Sequence, residues 1–361
     1  MKKKENLVGI VGGIFILFLI LEGRFSNLAA EEKEGNAAIH YLKAIKLMDY
    51  PVSIKRRFEI QEAIKKGWSA EAKELEKILQ KNEKALNELK KGLEYKRCDF
   101  NLGKKYKYSL EKNLPPFLEI FNLSNLLLLK GRYYEKEAEN KKALDTYLSS
   151  LTFAYHISLS NDTPSKTLAL TIEENALPLL KNYLNLADKE DCLKISAFIK
   201  DFLNKHFSME EVIKGEKEFF ISNLQIIVDK VKTIKETQDE IKRKKKKFIQ
   251  KLVEEGNKLL DDYYGALTKA VESNEDEDWQ VVEDKSLKLR EDIKYLNRES
   301  LGKTIKEGTE KLDENLAPKI AEIVLIMNLP DIRRISDKYY SVLRSLEDIL
   351  KKVNTIKETL S

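Results

Sequence analysis

The sequence predicts an all-α chain: an N-terminal transmembrane helix, then a domain of helical hairpins, then a C-terminal bundle of long helices. Three observations carry this. A lysine leader, Met1-Lys2-Lys3-Lys4, runs directly into an uncharged, mostly apolar stretch from Leu7 to Leu21. Behind it, charged residues make up 35% of the chain, nearly balanced at a net charge of +5, and only 14 Gly and 7 Pro interrupt 361 residues. That is the composition of long helices. Apolar residues also recur at three- and four-residue steps, the helical period. The expected division is 1–30 for leader and linker, 31–207 for the hairpin domain and 208–361 for the long-helix domain.

The leader sets the compartment. Leu7, Ile10, Val11, Ile14, Phe15, Ile16, Leu17, Phe18, Leu19, Ile20 and Leu21 form the candidate anchor. Roughly 15 residues rise about 22 Å as a helix, short of the ~30 Å hydrocarbon core, so the ends must snorkel or the bilayer thin. The alternative is a cleaved signal peptide with its site near Leu28-Ala29-Ala30. Glu22 and Arg24, between the apolar run and those small residues, speak for retention. Lysines before the span keep the N-terminus cytoplasmic. The body is then expected outside the cytoplasm, on a bacterial inner membrane, or secreted or periplasmic after cleavage near Ala30. Gly9 and Gly13 form a G-x-x-x-G pair that leaves association between copies open.

A polar linker from Glu31 to Gly35 leads to a helix over Asn36-Ala37-Ala38-Ile39-His40-Tyr41-Leu42-Lys43-Ala44-Ile45, ended by Pro51. A second helix spans about Ile54 to Lys66. Ser69 is placed to cap a long helix to about Leu93, with Leu75, Ile78, Leu79, Ala85, Leu86 and Leu89 on one face. The stretch from Tyr95 to Ser109 breaks the period. Pro115-Pro116 then opens an apolar, hence buried, helix through Leu126 to Leu129. From there the spacing resembles a tetratricopeptide hairpin. Leu127, Gly131 and Tyr134 take the large, small and aromatic positions of its first helix, and Ala143 and Tyr147 the small and aromatic positions of its second. Ala37, Tyr41 and Ala44 read as a second, partial copy.

Asn161-Asp162-Thr163-Pro164 caps the next helix, which Pro178 bends. A shorter helix follows from about Lys189 to Lys205, and Ser208 with Glu211 forms a capping box. From Met209 to Ser273 no proline occurs, and Phe219, Phe220, Leu224, Ile227, Val231, Ile234, Ile241, Phe248, Leu252 and Leu259 recur at three-, four- and seven-residue steps. A long helix or a coiled-coil-like hairpin arm is expected there. Asn274-Glu275-Asp276-Glu277-Asp278 reads as an acidic break, followed by helices over Trp279–Asn297, Ile320–Met327 and Asp331–Leu360.

The segment from about Asn36 to Leu184 resembles a loosely defined group of membrane-anchored, tetratricopeptide-like helical proteins from planctomycete-like bacteria. The likeness rests on Asn36-Ala37-Ala38 with Tyr41, on Cys98-Asp99-Phe100, and on Leu126 to Gly131 running into Ala143-Leu144-Asp145. It covers under half the chain and implies an architecture; the group has no assigned activity.

Chemistry-bearing patterns are sparse. His40, His156 and His206 share no metal-ligand spacing. There is no G-x-S-x-G elbow and no phosphate-binding glycine loop. No C-x-x-C occurs. Cys98 and Cys192 either pair outside the cytoplasm or are two separately buried thiols. No cofactor or metal is expected, and no catalysis. The strongest charge feature is Lys242-Arg243-Lys244-Lys245-Lys246-Lys247, a candidate contact for anionic lipid or another polyanion, or simply a solvated helix face. Acids mixed through the chain argue against nucleic acid. The expectation is a scaffold that offers helical surfaces to a protein partner at the membrane. The alternatives are a secreted or anchored ligand binder or enzyme, and a structural coiled-coil spacer.

Overall fold

The computed structural model describes residues 35–51, 53–69, 73–100, 116–160, 162–235, 238–291, 298–327 and 332–359. The expected anchor, Leu7 to Leu21, lies outside the described residues, as do the candidate cleavage site and the stretch holding Tyr106 and Tyr108. Among the described residues the regular structure is helical. There is no strand, only an isolated parallel bridge between Asn36 and Arg97. No described helix is long and apolar enough to cross a membrane. The chain forms two compact units. The first holds described residues 35–100, 116–160 and Ile172–Asp191; the second holds 162–171 and 192–359.

The first unit contains α1 (Ala37–Leu47), α2 (Ile54–Lys66), α3 (Lys73–Lys81), α4 (Glu83–Leu93), α5 (Phe117–Lys136), α6 (Asn140–Ser158) and the latter part of α7 (Thr163–Tyr183). Asn36 starts α1 in a way its sequence announces. Its side-chain oxygen accepts from Ala38 N at 3.1 Å, a standard N-cap, and from Asp99 N at 2.9 Å. Its amide donates to Asp99 O at 2.8 Å, and Ala37 N donates to Arg97 O at 2.9 Å. The Asn36-Ala37-Ala38 and Cys98-Asp99-Phe100 motifs are therefore one structural joint.

Two helix pairs make the core of this unit, α1 against α4 and α5 against α6. Each meets through a glycine and a tyrosine. A Cβ on Gly131 would lie 3.0 and 3.1 Å from Cδ1 and Cζ of Tyr147, and closer still to Cε1. A Cβ on Gly92 would meet Tyr41 in the same way, 2.8 and 3.1 Å from Cδ1 and Cζ. Both rings are fully buried. The glycines thus serve close approach, letting an aromatic ring lie flat on the neighbouring backbone. Ala37 and Tyr41 stand to each other as Ala143 and Tyr147 do, and Gly92 and Tyr95 as Gly131 and Tyr134. The chain order is reversed: the glycine helix comes first in α5/α6 and second in α1/α4.

The expected single helix from Ser69 to Leu93 is two. Asn82, fully buried, separates α3 from α4. Its amide donates to Asp49 O at 3.0 Å and Ile78 O at 2.9 Å, and its oxygen accepts from Asp49 N at 2.7 Å. The side chain thus satisfies backbone groups of the loop after α1, which a leucine at that place would leave unpaired.

The second unit contains the start of α7, then α8 (Lys189–Lys205, from Cys192), α9 (Met209–Lys232), α10 (Asp239–Leu259), α11 (Gly265–Ser273), α12 (Asp276–Glu291), α13 (Arg298–Lys311), α14 (Ala317–Met327) and α15 (Ile332–Thr359). Ser208 caps α9 by accepting from Glu211 N at 3.2 Å, as expected. The long run from Met209 to Ser273 is broken between α9 and α10, although no Gly or Pro marks the place. Side chains take the carbonyls a continuing helix would use: Thr233 Oγ1 donates to Lys230 O at 2.7 Å, and Lys245 Nζ to Lys232 O at 2.7 Å and Ile234 O at 3.2 Å. A five-residue π turn, Leu260–Tyr264, then joins α10 to α11. Of the expected acidic break only Asn274 and Glu275 lie outside helices, and Asn274 ends α11 in a left-handed conformation at φ 53°. Asp276, Glu277 and Asp278 are the first turn of α12, where acids favour the positive end of the helix dipole. The helix expected over Trp279–Asn297 therefore begins three residues earlier.

Candidate functional site

In the first unit, α3, α4 and α5 enclose a groove of about 160 Å³. Helical spacing puts its lining on single faces: Glu83, Leu86, Asn87 and Lys90 on α4, and Leu127, Lys130 and Tyr134 on α5. Leu79, Leu86 and Leu127 are buried and form an apolar floor, while Asn87 and Lys90 are exposed at the rim. Lys130 is half-buried, with its ammonium 4.9 and 4.8 Å from the ring centres of Tyr133 and Tyr134. Burial pushes its pKa below the ordinary lysine value, and the nearby Glu83 and Glu139 only partly offset this. Among the described residues Lys130 pairs with no carboxylate.

The aromatic wall is held from behind. Arg132 Nε donates to Ile64 O at 2.8 Å, closing the last turn of α2, and its other nitrogen pairs with Glu135 at 2.6 Å. Trp68 meets Tyr133 edge-on at 5.5 Å. Lys136 lies 5.3 Å from the Tyr133 ring centre and pairs with Glu76 at 2.5 Å, which neutralises the acid nearest that wall. What remains in the groove, beside the tyrosine wall, is a leucine floor, Lys90 and Lys130, the two amides of Gln80 and Asn87, and Glu83. Its lining holds no Ser, Thr, Cys or His among the described residues.

The other chemistry-bearing residues are built into packing. His156 Nδ1 shares a 2.5 Å hydrogen bond with the Tyr41 hydroxyl, and burial lowers its pKa to about 4 while raising that of Tyr41. His40 stacks on Tyr95 at 5.0 Å and meets Glu88 at 3.2 Å. Lys91, His40 and Lys43 surround Glu88; its hydrogen bond to Lys91 contributes most to a pKa lowered to about 2. His206 belongs to an aromatic group with Phe202, Phe207 and Tyr339 in the second unit. Cys98 and Cys192 are both buried, Cys98 in the first unit and Cys192 in the second. Burial pushes the Cys98 thiol far up, away from the reactive thiolate. Among the described residues no group of His, Cys, Asp or Glu is placed to hold a metal ion.

The basic run lies on the first half of α10. Lys242, Arg243, Lys244, Lys246 and Lys247 are exposed, whereas Lys245 is buried and closes the end of α9. Five of the six candidate contacts are thus available to solvent, and the sixth is structural. The groove itself was missed as a site in the sequence. Tyr134 and Leu127 stood out as packing positions, and Lys130 was not singled out. The available signal was Lys130 three residues after an apolar position and just before Tyr133-Tyr134.

No known protein family matches the chain, and no curated protein or solved structure is detectably similar to it.

Proposed function

We propose that this protein is a non-catalytic, membrane-anchored envelope protein that holds a protein partner through its helical surfaces. The observation that carries the reading is the α3–α4–α5 groove, with an apolar floor and a half-buried lysine that pairs with no acid among the described residues. A partner segment fits it by laying an apolar side chain over Leu79, Leu86 and Leu127 and directing a carboxylate to Lys90 and Lys130. Displacing water from Lys130 strengthens that contact, because a partly desolvated ammonium gains more from a carboxylate than an exposed one does.

The glycine–tyrosine helix pairs support a tetratricopeptide-like reading of the first unit, since such repeats present grooves built from stacked helix pairs. The long helices of the second unit fit a coiled-coil-like arm. Leu7 to Leu21 anchors the chain, the lysine leader stays cytoplasmic, and both units face outside. Fractionation of cells expressing the full chain tests the placement. A carbonate-resistant, full-length protein digested by protease added to spheroplasts is expected. A soluble form beginning near Glu31, or a protected full-length form, contradicts it. Co-purification tests the groove: a partner retained by the wild-type chain is lost from Lys130→Gln and Tyr134→Ala, and equal retention by both variants removes the groove from the account.

A further inference from the structure

We propose that a second site, independent of the groove, binds a phosphate-bearing anion in the recess between α10 and the loop after α13. The recess has a volume of about 400 Å³ and is lined by Arg243, Lys244 and Lys247 of α10, by Lys311, and by the loop from Leu312 to Asn315. The helix register sorts the basic run. Positions 243, 244 and 247 face the recess, Lys245 and Phe248 turn inward, and Lys242 and Lys246 are exposed outside the lining. Only three of six consecutive bases are thus gathered, and Lys311 joins them from a distant part of the sequence.

The charges are not all spent. Lys244 pairs with Glu240 at 2.8 Å. Glu314 stands 3.8 Å from Lys247 and 3.9 Å from Lys251, shared between two ammonium groups at the outer limit of an ion pair. Asp313 is partly occupied by its own loop, its Oδ1 accepting from Asn315 N at 3.0 Å. Leu312, at φ 53°, reverses the chain so that Lys311 and the two acids stand on the same recess. Arg243 and Lys311 make no ion pair among the described residues. Four lining cations stand against the two lining acids and Glu240 on Lys244, which still leaves the recess positive by one charge.

A guanidinium fork with ammonium groups arriving from other directions suits a tetrahedral anion with several oxygens better than a planar carboxylate, which one fork satisfies. No aromatic side chain lines the recess among the described residues, so it has no platform for a base. The ligand is therefore a phosphate group as such, either of a free polyphosphate or of a lipid headgroup.

The test uses the full chain in neutral-lipid nanodiscs, titrated calorimetrically with inorganic triphosphate and, separately, with short-chain phosphatidic acid below its micelle concentration. Saturable binding of at least one probe is expected. Arg243→Ala and Lys311→Ala each weaken it about tenfold, the worth of one charge-assisted contact. Lys246→Ala removes the same charge from the same run outside the recess and changes affinity by less than about twofold. Glu314→Gln, which frees Lys247, tightens binding. Binding of triphosphate alone identifies a free polyphosphate, and binding of phosphatidic acid alone a headgroup; either sustains the site. If Lys246→Ala weakens binding as much as Arg243→Ala does, the basic run acts as a diffuse charge and the site is refuted. Absence of saturable binding for both probes refutes it equally.

Discussion

Replacing Gly131 with alanine sets two effects of opposite sign against each other, and the structure decides between them. In the middle of a helix, Gly→Ala gains about 1 kcal/mol from backbone entropy and propensity. Against this, the new Cβ would sit 3.0 and 3.1 Å from two Tyr147 ring carbons and closer to a third. The ring has no room to withdraw, because it is fully buried. Overpacking of this kind costs about 1–3 kcal/mol, and contact with three atoms of one immobile ring belongs in the upper half of that range. The expected net loss is therefore about 1–2 kcal/mol. Gly265→Ala is the matched control. Its Cβ would meet nothing within 4 Å and its backbone is already helical, so a gain of about 0.5–1 kcal/mol is expected. Urea unfolding of the full chain, followed by far-UV circular dichroism, reads both midpoints. Placing Gly131→Ala in a Tyr147→Leu background should abolish its cost, since the ring it strikes is gone. A Gly131→Ala chain as stable as Gly265→Ala would show that the helices do not meet through this contact, and the reasoning about the glycine–tyrosine pairs would fail.

Other outcomes follow from the same core. His156 is depressed to about 4 by burial, so between the ordinary value near 6.5 and about 4 the unfolded chain binds a proton that the folded chain refuses. Stability contributed by the neutral ring is thus lost as pH falls through that window, by about 3 kcal/mol in all, and His156→Gln should flatten the slope; an unchanged slope would refute the assignment. Tyr147 and Tyr41 should answer differently to loss of the hydroxyl. Tyr147 Oη is buried beside Arg132 and Glu135 without a well-formed hydrogen bond, so Tyr147→Phe should stay within about 0.5 kcal/mol, whereas Tyr41→Phe orphans His156 and should cost about 1–2 kcal/mol by urea denaturation. Within the basic run, Lys245→Ala should cost about 1–2 kcal/mol by uncapping α9, while Lys246→Ala should stay within about 0.5 kcal/mol. Equal thermal midpoints for these two variants would contradict the inward role of Lys245.

What the sequence made legible was governed by local sterics. Hairpin spacing set Gly131 at a small position of one helix and Tyr147 at an aromatic position of the next, whereas their direct contact is visible only in the packed pair. Asn36 was legible as the start of the helical stretch; its cap on Ala38 N and its hold on Asp99 were not. The break at Asn82 was illegible because its cause is the backbone of Asp49, 33 residues away. The break after α9 was illegible because the side chain that enforces it, Lys245, looks like one more base in a charged run. The groove escaped notice on the same ground. Lys130 differs from any other helical lysine only after α3 and α4 have packed beside it and removed part of its water.

The account turns most on whether the α3–α4–α5 groove is where a partner sits. A photo-crosslinking residue placed at Asn87, on the groove's rim, or at Lys84, exposed on the same helix outside the lining, reports this in cells expressing the full chain. The account predicts one discrete adduct from position 87, none from position 84, and loss of that adduct when Lys130→Gln is added. The same adducts from both positions, or an adduct from position 87 that survives Lys130→Gln, would contradict it.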